Sequence, residues 1–100
     1  MEYLPLTPAF IRVFMNYDGT CNRVRAIRAY RAMQEAAGLP RPGLKLCKLV
    51  VDVAIHRLNT GSQANPNRYI PYHIDSFLRI DVPTSGVVAT VDTEKAPHYL

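Results

Sequence analysis

The segment from Leu44 to Leu58 constrains the fold more than any other, because only Lys45, Lys48, Asp52, His56 and Arg57 interrupt its apolar character. Most of these polar residues recur every three or four positions, as a helix enclosed by protein on most of its faces requires. This spacing predicts a central helix over 44–58. Val50, Val51, Val53 and Ile55 are β-branched, so a buried strand competes for the same residues. Asn59-Thr60-Gly61 ends the element on either reading. With 100 residues there is room for one such core, and hence for a single domain over 1–100.

Two further helices are legible upstream. Thr7-Pro8 is an N-cap followed by a first-turn proline, whose fixed φ and missing N–H suit that position. Phe10, Val13, Phe14 and Tyr17 then fall at helical spacing, widened by Ile11 and Met15, and Asp18-Gly19 closes the segment. The first helix is expected over about 8–17. The second is expected over about 22–37, starting after Thr20 or Asn22 and stopped by Gly38-Leu39-Pro40. On a helical wheel Arg28, Arg31 and Glu35 share one of its faces; Ala26, Ala29, Tyr30, Met33, Ala36 and Ala37 share the other.

Beyond residue 61 the period changes. Ser62 to Asn67 is loop by composition, and a short helix is expected from Pro71 to Phe77. Leu78, Ile80 and Val82, then Val87, Ala89 and Val91, alternate with other residues on either side of Pro83-Thr84-Ser85-Gly86, which predicts a β-hairpin over about 77–92. The fold class is therefore mostly α (α+β): three helices, the third central, closed on one side by a C-terminal hairpin.

The formal net charge of +4 is unevenly spread. Residues 1–57 carry nine basic and four acidic side chains, and 58–100 carry three and four. Such a field favours acidic partners. Its densest part is Arg23, Arg25, Arg28 and Arg31, on one predicted helix. Arginine's planar fork matches phosphate and carboxylate. An ordinary solvated helix face, with Arg31 and Glu35 as an i, i+4 pair, is the competing account. Basic charge near a helix start opposes the macrodipole, which points toward a partner.

A helix-turn-helix with Gly19 in its turn would need apolar residues about six and nine positions further on, and those positions hold Arg25 and Arg28. Phosphate contact by the same arginines is still compatible with the sequence. A second cluster, Arg68, Tyr69, Tyr72 and His73, lies on a segment held by Pro66 and Pro71. Tyr and Arg dominate protein interfaces, although loop tyrosines also commonly cover their own core.

Catalytic and metal chemistry is poorly equipped. Asp52 and His56 are the one i, i+4 pair with ligand character, and two ligands make no site; Asp52 is expected to orient His56 or to pair with Lys48. Cys21, at the start of the arginine helix, is placed where a thiol pKa is lowered, but it has no nearby histidine in sequence to act as its base. Cys47 is expected to be a buried small hydrophobe. Glycine-rich phosphate loops, nucleophile elbows and zinc-protease motifs are missing from the sequence. Neither a secretory leader nor a membrane span is evident, which points to the cytoplasm.

In size and plainness the chain resembles the small accessory proteins of phages and plasmids, among them inhibitors of host defence such as anti-CRISPR proteins. The resulting expectation is a non-enzymatic inhibitor or adaptor, needing no cofactor or metal, that docks on a larger protein or nucleoprotein complex with an acidic or phosphate-rich face. The partner-binding residues are expected to be Arg23, Arg25, Arg28, Arg31, Arg68, Tyr69 and Tyr72. The alternative is a nucleic-acid-binding regulator using the same arginine helix.

Overall fold

The segment 44–58 is helical, which settles the competition between helix and strand. In the computed structural model, which describes residues 1–60, 71–75, 78–82, 85–92 and 94, three helices run Pro8–Arg12 (α1), Arg23–Ala36 (α2) and Leu44–Thr60 (α3). Leu46, Cys47, Val50, Val51, Ala54 and Ile55 of α3 are buried, a stripe that repeats every four residues. Full burial of such a side chain is worth about 1.5–3 kcal/mol. Both α1 and α2 pack on α3, so the third helix is central.

Helix α2 matches its expected span. Asn22 caps its start, with the side-chain oxygen accepting from the Arg25 N–H at 3.3 Å. At its end Gly38, with φ +77°, lets Leu39 N–H reach the Gln34 carbonyl and its own N–H reach that of Glu35, the Schellman arrangement. Its buried face differs from expectation. Ala26, Ile27, Tyr30 and Gln34 are buried, whereas Ala36 and Ala37 are exposed.

Helix α1 is much shorter than expected. It begins as read, with Thr7 Oγ1 accepting from Phe10 N–H at 3.1 Å and Pro8 in the first turn. It stops at Arg12, because residues 14–22 close on themselves. Met15 bridges Cys21, Asn16 N–H donates to the Thr20 carbonyl, and Asn22 N–H donates to that of Phe14. Asp18 Oδ1 accepts from both the N–H and the hydroxyl of Thr20, so local side-chain bonds displace further helix. The expected apolar stripe is consequently broken: Ile11 is buried, while Val13 and Tyr17 are exposed.

The hairpin is present as strands Leu78–Asp81 (β2) and Val88–Val91 (β3), paired antiparallel with Ile80 opposite Ala89. All six alternating residues from Leu78 to Val91 named above are buried. The short helix expected from Pro71 is instead a strand, Pro71–Asp75 (β1), antiparallel to β2 with a bulge between His73 and Asp75. Proline is tolerated as a first strand residue, and pairing with β2 satisfies the backbone that an isolated helical turn would leave open.

The three strands form a sheet of order β1-β2-β3. On the far side of β3 the N-terminal segment adds a partial fourth strand. Tyr3 and Leu6 N–H donate to the Ala89 and Val87 carbonyls at 2.9 and 2.8 Å, and both side chains enter the core. Gln34 of α2 secures the same segment, its amide accepting from Leu4 N–H at 3.0 Å and donating to the Leu4 carbonyl at 3.2 Å.

Candidate functional site: a basic groove between α2 and α3

Helices α2 and α3 lie antiparallel, since Arg23 at the start of α2 reaches Asp52 while Arg31 near its end reaches Pro42, just before α3. Between them runs a groove of about 760 Å³. From α2 it takes Arg23, Val24, Ile27, Arg28, Arg31, Ala32 and Glu35, one helical stripe; from α3 it takes Leu44, Lys48 and Asp52, and Arg41 contributes from the link. Five cationic side chains thus face two carboxylates.

The carboxylates are engaged at opposite ends. At one, Arg23 Nε donates to Asp52 Oδ1 at 2.9 Å, a bond that raises the guanidinium's pKa above its ordinary value. At the other, Arg41 lies 3.5 Å from Glu35. Two expectations are corrected here. Glu35 pairs with Arg41 rather than Arg31, and Asp52 pairs across the helices rather than with Lys48 or His56 of its own helix. Both pairs are solvent-exposed, where an ion pair contributes about 0–1 kcal/mol.

Arg31 Nε donates to the Pro42 carbonyl at 2.9 Å, tying the link before α3 to α2 and fixing the guanidinium plane. Arg28 and Lys48 meet no carboxylate among the described residues. The middle of the groove therefore carries uncompensated positive charge, flanked by exposed aliphatic surface: Val24 is 67% and Leu44 49% exposed.

Of the expected site residues, Arg23, Arg28 and Arg31 are brought together, and Arg25 is exposed outside the groove. Arg68 and Tyr69 lie outside the described residues, and Tyr72 belongs to β1, opposite Ile80, rather than to a loop. Lys48, Arg41, Val24 and Leu44 escaped the sequence reading. A signal existed for α3, where Leu44, Lys48 and Asp52 recur every four residues, but it was hidden by the apolar run around them.

Neither cysteine is activated. Burial pushes the Cys21 thiol above its ordinary pKa, outweighing the lowering by Arg23, and nearby Asp52 raises it further. Burial pushes Cys47 up to about 11. Burial thus outweighs the lowering that a helix start and nearby arginines could give Cys21. The helix-turn-helix geometry is also ruled out: ten residues separate α1 from α2, and Arg25 and Arg28 are exposed where that motif packs its inner face. Among the described residues no helix is long and apolar enough to cross a membrane.

Comparison of the chain with protein-family models, with curated proteins and with solved structures finds no match to any of them.

Proposed function

We propose that this chain is a non-enzymatic binding protein, an inhibitor or adaptor of the phage or plasmid kind, that docks through its α2–α3 groove on an acidic or phosphate-rich face of a larger protein or nucleoprotein complex. The observation that carries the reading is the pair Arg28 and Lys48, two cations from different helices facing one groove without a carboxylate partner among the described residues. Placing like charges side by side costs stability unless something opposes them. Arg23, Arg31 and Arg41 already hold partners of their own and set the groove's shape. Burial holds the Cys21 thiol above its ordinary pKa, which weighs against a nucleophilic role for it.

Charge reversal at the two cations tests the proposal. The tagged wild-type chain is expected to retain a partner from nuclease-treated lysate of its host, and the double variant Arg28→Glu, Lys48→Glu is expected to lose it. Both residues are exposed and the reversal relieves repulsion between like charges, so the variant should unfold thermally no earlier than wild type. Retention of the same partner by a folded double variant removes the groove from the account. Loss of the partner on nuclease treatment selects the nucleic-acid regulator instead, whose binding should weaken steeply with salt.

A further inference from the structure

We infer that the occupant of the α2–α3 groove is a short acidic amphipathic helix of a partner protein, with aliphatic side chains two turns apart and carboxylates between them. The inference rests on the docking reading above and names its ligand.

Charge and shape argue for it together. From Arg23 to Glu35 the α2 wall is roughly 18 Å long, at about 1.5 Å per helical residue. The unpartnered charge lies in the middle, at Arg28 and Lys48, and the Arg31 guanidinium is held by Nε alone, leaving its η nitrogens to bind a carboxylate. Both ends carry carboxylates, Asp52 and Glu35. Each is already neutralised by an arginine, so a continuous phosphate backbone would find free positive charge only in the middle of the groove. No aromatic side chain is among the described residues that line the groove, so a base would find no stacking surface. A compact acidic segment meets the central charge and stops short of the ends.

The aliphatic surface fixes the rest of the pattern. Val24 is exposed near the Arg23 end, and Leu44 is exposed two residues beyond Pro42, to which Arg31 is bonded. Residues 24 and 31 stand roughly 10 Å apart along α2, which is two turns. A docking helix with aliphatic residues at i and i+7 covers both patches, and carboxylates at i+3 and i+4 come between them, over Arg28 and Lys48. An extended peptide fits less well, because helix flanks offer no edge to pair its backbone N–H and C=O groups. A second copy of this chain is disfavoured by the net charge of +4 on each.

The test uses the full chain, isotopically labelled, titrated with a capped helical peptide of about fourteen residues bearing leucines at i and i+7 and glutamates at i+3 and i+4. Amide shifts are expected to concentrate in 23–35 and 44–52. Replacing both leucines by serine is expected to weaken binding at least about fivefold, and the Arg28→Glu, Lys48→Glu chain at least about tenfold. A random-sequence DNA duplex at the same molar concentration as the peptide, in about 150 mM salt, is expected to bind more weakly despite its greater charge. The inference is overturned by the absence of shifts at millimolar peptide, by equal binding of the serine peptide, or by tighter binding of the duplex. If the peptide fails while the double variant still loses its nuclease-resistant partner, the docking reading survives and only this ligand is wrong. If the double variant keeps that partner as well, both fall.

Discussion

Gly38 and Gly86 both adopt positive φ, at +77° and +143°, but for different reasons. Gly38 closes α2 by local geometry, and a Cβ placed there meets nothing within 4 Å. Gly86 lies against the N-terminal segment, where a Cβ would stand 2.7 Å from the Leu6 carbonyl oxygen and 3.0 Å from Thr7 Cα. Both neighbours are backbone and cannot swing aside. Gly38→Ala is therefore expected to cost about 1 kcal/mol from backbone strain alone, and Gly86→Ala about 3 kcal/mol from strain plus overpacking. Urea unfolding of the two variants checks this, and equal losses would contradict it. Gly38 was legible in the sequence because a helix stop is a local event. The constraint on Gly86 was not, since it comes from a residue eighty positions away.

At the scale of elements, what the sequence displays well is what neighbours along the chain decide. Helix α2 and its Schellman stop, the N-cap of α1 and the alternation of β2 and β3 all depend on residues within a few positions of one another. Helix α1 fails after Arg12 because Asn16, Asp18 and Thr20 bond one another and the loop backbone, an outcome that apolar spacing does not register. Strand β1 exists through its pairing with the neighbouring β2, and the N-terminal strand through a partner more than eighty positions away. The sequence carries no periodic signal over residues 1–6, yet Tyr3 and Leu6 are almost fully buried. Their amides are expected to exchange with solvent as slowly as those of β3, within about tenfold, since all belong to one ladder. Fast exchange at Tyr3 and Leu6 beside a protected β3 would show that the segment opens independently.

The molecule as a whole brings a basic groove together from pieces that the sequence separates. Arginine clustering marked α2, and the wheel placed Arg28, Arg31 and Glu35 on one side of it, which is the side that lines the groove. The opposite wall was masked beforehand, because Lys48 and Leu44 belong to a helix whose dominant signal is burial. Antiparallel packing converts them into a counterpart for the arginines. Tyr17, exposed in the 14–22 loop and not among the residues lining this groove, offers a second surface, so the two can be told apart in a complex. The most direct measurement is hydrogen exchange on the nuclease-treated complex, compared with the free chain. Protection gained over 23–35 and 44–52, with the 14–22 loop unchanged, is the predicted result. Protection confined to the 14–22 loop or the sheet, with α2 and α3 unaltered, would contradict it.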